Sequence, residues 1–496
     1  MRISFINPPF KPRFSRESRS PAVAKGGTLY YPHWLTYAAC YARFHHHEVD
    51  LFDGCATPLS VEEGVRRVAA FGADMVVINT STPSVYSDIK FGGAIKAVHP
   101  RVKVFLAGPH VSATVKESWD FIRRSGAQLD GILVGEYDGI VVDIANRMAG
   151  GEDFHCAKGL AYEVNSEIVE NPQPPLLQEL DGWPLATELY KEFLDIPAYY
   201  YSHNKHPMVT IITGRGCHYR CTFCQLPQVM HGHEYRTRSV EDVVREFRYI
   251  HRELPSVRNI MIEDDTFTAN RPRVREICER LIKEGLNRVE WTCNARADVD
   301  YETLVRMREA GCRMLCTGFE SGDQEILNKM RKGTKLSIIE KFVHDANKAG
   351  VMVHGCFMFG NKHETEESLR ETLEFALRLP IDTAQFFPIM VSPGTIDYQF
   401  FKEQGMLRSE NFANWNDEEG NHQSTVDRLN LSNKFIEEFC DYARRRFYLR
   451  PSYIFYKARQ SLKDFDELKR NVMGFRKVIR HLVLRGVPRE LSHSRT

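Results

Sequence analysis

The chain has 496 residues, room for two or three domains, and its 66 Lys and Arg balance 65 Asp and Glu to a formal net charge of +1. That balance excludes a chain whose whole surface is built for nucleic acid, and no apolar run is long enough to span a bilayer. The 12 cysteines form no paired framework, and the first ten residues lack the charged, apolar and cleavage segments of a secretion signal, so a reducing cytoplasm is the expected location.

Residues 1–156 alternate short apolar runs with amphipathic stretches, which predicts an α/β region with a parallel sheet covered on both faces. Strands are expected at 3–7, 48–52, 75–79, 103–107 and 131–134, with helices around 34–41 and 61–71. In open α/β sheets ligands sit at the carboxyl ends of the strands. The turns there are small, polar or glycine-rich: Asn7-Pro8-Pro9, Asn79-Thr80-Ser81-Thr82-Pro83-Ser84, Gly108-Pro109-His110 and Gly135-Glu136. Such turns let backbone amides approach a large ligand carrying phosphate and amide groups. Residues 157–207 read as a linker, with a Pro-rich crossing at Asn171-Pro172-Gln173-Pro174-Pro175.

Residues 208–403 again alternate strand and helix, with strands expected at 208–213, 259–263, 289–293, 313–318, 352–359 and 384–390. Six β/α units predict a partial barrel with its site at the carboxyl ends of the strands. The first strand runs into Gly214-Arg215-Gly216-Cys217-His218-Tyr219-Arg220-Cys221-Thr222-Phe223-Cys224. Three thiolates in one short loop can hold three corners of a [4Fe–4S] cluster, leaving the fourth iron open to chelate a small molecule. A zinc knuckle would need a fourth ligand, for which His218, His231 and His233 are near; unliganded buried cysteines are the remaining reading.

Later strand ends are also polar. Glu263-Asp264-Asp265 is typed for ligand contacts, a divalent metal or a solvated turn. Arg296 suits either a carboxylate grip or an ordinary ion pair. Glu320, in Gly318-Phe319-Glu320-Ser321-Gly322, is typed to accept hydrogen bonds from hydroxyls. His354 and Cys356 share a strand face, as packing or as a proton or hydrogen-atom donor, while Cys312 and Cys316 read as core. Residues 404–496 are expected to be mostly helical, with one helix after Ser432. A basic amphipathic helix around Val472, Phe475, Ile479 and Leu482 suits packing on the barrel or contact with anionic lipid.

The CxxxCxxC spacing with Phe223 before the third cysteine resembles the signature of the radical S-adenosylmethionine (SAM) superfamily. Gly318 to Gly322 and Pro393-Gly394-Thr395 are similar to further motifs of that family. Asn7-Pro8-Pro9, Tyr31-Pro32-His33-Trp34, Gly108-Pro109-His110 and Gly135-Glu136 resemble the N-terminal domain of its class B, cobalamin-binding members. Gln225-Leu226-Pro227-Gln228 and Gly232-His233-Glu234-Tyr235-Arg236 are similar to the hopanoid-biosynthesis-associated subgroup. The chain departs from the family at Lys362-His363, where relatives carry Pro-Gly, and it lacks the Asp-x-His-x-x-Gly pattern that supplies a histidine under the cobalt.

The resemblance implies a Rossmann-like cobalamin-binding domain, a central partial (β/α)6 radical SAM barrel and a helical C-terminal region. It implies that Cys217, Cys221 and Cys224 hold the cluster. Phe223, Glu263, Asp264, Arg296, Glu320 and Ser321 are then expected around SAM, with the Glu263 turn on its amino group, Arg296 on its carboxylate and Glu320 on its ribose. Asn7, Pro8, Thr80, Ser81, Thr82, Ser84, Gly108, His110, Gly135 and Glu136 are expected around cobalamin, His110 as a turn or phosphate contact. The implied chemistry is cleavage of SAM, on an electron from a flavodoxin- or ferredoxin-type donor, to a 5′-deoxyadenosyl radical. That radical takes a hydrogen atom from an unactivated carbon of a small molecule or lipid, and methylcobalamin then methylates it. Without methyl transfer the radical drives ring contraction, cyclisation or dehydration; a non-catalytic iron–sulfur or zinc scaffold is the non-enzyme alternative.

Overall fold

The computed structural model describes residues 1–24 and 26–461. Strands β1 (Arg2–Asn7), β2 (Glu48–Asp53), β3 (Met75–Asn79), β4 (Lys103–Ala107) and β5 (Gly131–Leu133) pair in parallel in the order 2-1-3-4-5. Residues 75–78 are Met-Val-Val-Ile, wholly buried, as expected of a strand covered by helices on both faces. The helices between are closed by local chemistry. Val61–Phe71 opens on a Ser60–Glu63 capping box and ends at Gly72 in the left-handed region.

The expected linker over 157–207 is partly structured. Strands β6 (Leu160–Val164) and β7 (Glu167–Glu170) form a hairpin that continues the first sheet antiparallel to β5. Its two-residue turn, Asn165-Ser166, has both φ angles positive, at 51° and 66°, a hairpin-turn conformation that asparagine tolerates well. A helix follows at Ala186–Phe193.

Strand β8 (Met208–Ile211) starts the second sheet. The two-residue strands β9 (Gly214–Arg215) and β10 (Arg236–Thr237) then form a ribbon of their own. Strands β11 (Asn259–Ile262), β12 (Glu290–Ala295), β13 (Cys312–Glu320), β14 (Met352–Phe359) and β15 (Thr383–Pro388) complete a six-stranded, all-parallel sheet in sequential order from β8 to β15. This is the expected half-open barrel, with every expected strand present.

Among the described residues of the C-terminal region, an irregular lead-in precedes the expected helices. Residues 404–432 are largely irregular, with one 3-10 turn at Phe412–Trp415. The helix Asn433–Tyr448 begins where Ser432 accepts the Phe435 amide and packs along β15; Pro451–Ser461 follows. The amphipathic stretch around Val472 to Leu482 lies outside the described residues. Among the described residues no helix is long and apolar enough to cross a membrane.

Candidate active site

Alternate residues of the barrel strands line one cavity of about 1790 Å³: Glu263 just past β11, Arg296 just past β12, Cys316 and Glu320 on β13, His354 and Cys356 on β14, and Gln385 on β15. Ordinary ligand pockets run to about 300–1,000 Å³, so this one has room for more than one large ligand. The opposite wall comes from the first domain, at the carboxyl ends of its strands. It comprises Thr80, Ser81 and Thr82 after β3, Gly108 and Pro109 after β4, Tyr137 after β5, and Glu17 and Arg19 from the long loop after β1.

The ribbon β9–β10 closes the loop that carries the cysteines. Gly216 stands at φ 86°, and a Cβ there would strike the Glu234 carbonyl oxygen, so only glycine fits. Asp264 accepts from the Thr213 amide (2.6 Å), the Thr213 hydroxyl (2.7 Å) and the Tyr235 hydroxyl (2.9 Å). Asp265 accepts from the Gly216 amide (3.0 Å) and pairs with His231 (3.1 Å). Gln228 donates to the carbonyls of Cys221, Thr222 and Cys224. His233 Nδ1 lies 3.1 Å from the Cys217 and Tyr219 carbonyls, so two of the histidines a zinc knuckle would recruit, His231 and His233, serve Asp265 and the loop backbone, while His218 packs on the Tyr219 ring.

Cys217, Cys221, Cys224 and Phe223 all line the cavity. Burial pushes the Cys224 thiol up to about 12 and raises Cys217 as well, so a cluster must displace thiol protons as it binds. Three thiols on one braced loop facing one cavity fit three corners of a cluster.

Around them the side chains expected for SAM divide into two sets. Glu263, Arg296 and Glu320 face the cavity. Asp264 and Ser321 stand behind the wall: Asp264 is committed as above, and Ser321 is 3.1 Å from the Thr372 hydroxyl and accepts from the Asp323 amide (3.1 Å). Glu320 is held at φ 66°, and its carboxylate accepts from the Lys332 ammonium at 2.7 Å. The Arg296 guanidinium lies 3.4 Å from the centre of the Tyr219 ring and donates to the Lys332 carbonyl. Lys332, whose ammonium is also 5.7 Å from the Phe223 ring, thus joins three expected site residues, and no sequence motif marks it. Burial pushes the Glu263 carboxyl up to about 7, with Arg19 opposing.

The residues expected around cobalamin divide in the same way. Thr80, Ser81, Thr82 and Gly108 reach the cavity wall. Asn7 accepts from Asn79 (2.9 Å), while the Pro8 carbonyl and Ser84 hydroxyl accept from Arg16, itself paired with Asp88 at 2.7 Å. His110 bonds Thr82 (3.1 Å) and packs edge-on against Phe412, beside a separate small cavity rather than the main one. The Gly135 amide donates to Ser112 at 2.9 Å, and Glu136 is gripped by Arg236 at 2.9 and 2.7 Å. These six sit behind the wall because buried arginines and neighbouring polar groups use their hydrogen-bonding atoms.

Several wall atoms are buried with no partner: Glu263 Oε2, Thr266 Oγ1 and Arg296 Nε on the barrel side, Tyr137 Oη and Trp34 Nε1 on the other. Buried polar atoms are rarely left unpaired, so both ends of the cavity offer contacts to polar ligands. Cys316, expected in the core, also faces the cavity, with Sγ 3.2 Å from His203 Nε2; His203 stacks on His354 at 5.1 Å.

Residues 211–376 match the radical SAM superfamily, and residues 19–142 match the B12 binding domain. The chain thus joins a B12 binding domain to a radical SAM domain, and the pair indicates an enzyme. An uncharacterized methyltransferase of Pyrococcus horikoshii is 28% identical over 462 residues, covering 91% of this chain and 95% of that protein. An anaerobic magnesium-protoporphyrin IX monomethyl ester cyclase of Rubrivivax gelatinosus is 25% identical over 388 residues, covering 76% of this chain and 65% of that protein, so the chain spans just under two thirds of it. Among solved structures, the radical SAM methyltransferase TsrM of Kitasatospora setae, with cobalamin and a [4Fe–4S] cluster, has TM-score 0.65 at 16% identity, covering 91% of this chain and 89% of its own. The cobalamin-dependent radical SAM enzyme OxsB with aqua-cobalamin has TM-score 0.66 at 14% identity, covering 97% and 72%. The last two share the fold.

Proposed function

We propose that this protein transfers a methyl group to an unactivated carbon of a small organic substrate. The observation that carries the reading is that the three-cysteine loop and the strand ends of the B12-binding domain open into one cavity. When bound, the cluster and one SAM would supply a carbon radical, and cobalamin would supply a methyl group taken from a second SAM, which leaves as S-adenosylhomocysteine. Cys217, Cys221 and Cys224 hold the cluster; Glu263, with Arg296 and Glu320, which Lys332 ties together, orients SAM beside it. Thr80, Ser81, Thr82 and Gly108 hold cobalamin against the other wall. The cavity walls confine the reacting groups and exclude water, which is the protein's share of such chemistry.

Apolar wall residues beyond the barrel, Met358, Phe387, Met390 and Ile454, support a substrate with a hydrocarbon skeleton, a lipid included. Exposed Phe455 and Tyr456 beside Ile454 support delivery from a membrane surface. A flavodoxin- or ferredoxin-type protein in the cytoplasm would supply electrons. The test is anaerobic incubation of the reconstituted protein, SAM and reductant with a host extract, with and without hydroxocobalamin. A cobalamin-dependent product about 14 mass units heavier than its precursor supports methylation; an isomeric or dehydrated product would replace it with a rearrangement.

A further inference from the structure

Two arginines frame the cysteine loop, one on each strand of the β9–β10 ribbon, and both reach into the other domain. Arg215 donates to both Asp138 oxygens at 2.9 Å. Arg236 donates to the two Glu136 oxygens at 2.9 and 2.7 Å, and Arg215 also approaches Glu136 at 3.6 Å. All four side chains are 6% exposed or less. The Arg215 guanidinium further lies 5.5 Å from the Trp34 ring, 5.7 Å from Tyr37 and 5.5 Å from Trp183. Two bidentate forks and an aromatic box fix orientation as well as distance.

What the clamp joins gives it a consequence for the reaction. Arg215 is two residues before Cys217, and Arg236 also donates to the His231 carbonyl at 3.0 Å, inside the loop. On the other side the gripped carboxylates flank Tyr137, which faces the cavity with an unpartnered buried hydroxyl. Trp34, packed between Arg215 and His231, faces the cavity too. The cysteine loop and the first-domain wall are therefore held by one network across four residues.

We propose that Arg215 and Arg236, clamped on Asp138 and Glu136, are positioning residues that set the separation between the cluster and cobalamin. This rests on the function proposed above and deepens it: loosening the clamp should blur that separation while both cofactor sites remain filled. A purely structural role would lower stability without moving the separation between two bound centres.

The test is a pulsed EPR distance measurement between the reduced cluster and cob(II)alamin in the reconstituted full chain, compared with Asp138→Asn, Glu136→Gln and Arg215→Lys. Arg215→Lys keeps the buried charge and decides the matter if the carboxylate variants do not fold. The expected result is a narrow distribution in the wild type and a shifted or widened one in Arg215→Lys, at wild-type iron and cobalamin content. Variants with the wild-type distribution would overturn the clamp alone. Absence of bound cobalamin in the wild type would overturn the cofactor reading and the clamp with it.

Discussion

Replacing Lys332 with Met removes the ammonium from Glu320 but keeps most of the side chain's length. Lys332 and Glu320 keep only 11% and 8% side-chain exposure and meet at 2.7 Å. Stripping one partner from a buried ion pair costs about 3–5 kcal/mol because the remaining charge is stranded. Part of that cost appears as lower stability. The rest appears at the SAM site, because Glu320 loses the contact that aims its carboxylate and is free to take a new rotamer. A charged hydrogen bond is worth about 1.5–3 kcal/mol, so SAM should bind roughly 10- to 150-fold more weakly. The assay is equilibrium binding of SAM to the anaerobically reconstituted protein, alongside a thermal melt, with Lys332→Arg as the conservative control. SAM affinity within twofold of wild type in Lys332→Met, with an unchanged melt, would refute the role given to this pair.

Other outcomes follow from the same geometry. Cys221→Ala should lose the cluster, reading well below the about four irons per chain expected of a cubane, and should release no 5′-deoxyadenosine from SAM under dithionite. Gly216→Ala should also lose iron: its φ of 86° and the Glu234 carbonyl leave no room for a Cβ, and left-handed backbone alone costs a non-glycine residue about 1–2 kcal/mol. Burial pushes the Glu263 carboxyl up to about 7 from its ordinary 4.5. Its proton is therefore retained on folding, and this contribution to stability is complete below about pH 4.5 and disappears as pH rises through 7. A cationic amino group needs the carboxylate, so SAM affinity should fall as pH drops below 7, by at most about tenfold per unit, and Glu263→Gln should flatten that dependence.

The parallel strands of both sheets were legible because they are short, mostly apolar runs bounded by turns, fully buried at 75–79 and with His354, Cys356 and Met358 facing the cavity at 352–359. The β6–β7 hairpin was missed because β6 buries only Leu160 and Ala161 fully and β7 is mostly exposed, too little for a core pattern; its cue was the Asn165-Ser166 turn. Within the site, cysteine spacing and strand-end acids identified wall residues directly. Sequence could not separate Glu263, which faces the cavity, from its neighbour Asp264, which anchors Thr213. Glu136 was legible as a strand-end acid, but its partners Arg215 and Arg236 lie 79 and 100 residues away. Arg19 lies on the polar loop after β1, where strand-end position was a usable signal; Lys332 had none, since only the tertiary fold brings it to Glu320 and Phe223.

The central claim is that one cavity serves both cofactors. Protein reconstituted anaerobically with iron, sulfide and hydroxocobalamin, then given SAM and dithionite, tests it most directly. The account predicts a bound corrinoid absorbance together with 5′-deoxyadenosine and S-adenosylhomocysteine, the second product only when cobalamin is present. Protein that retains no corrinoid, or that forms S-adenosylhomocysteine equally well without it, would contradict the account.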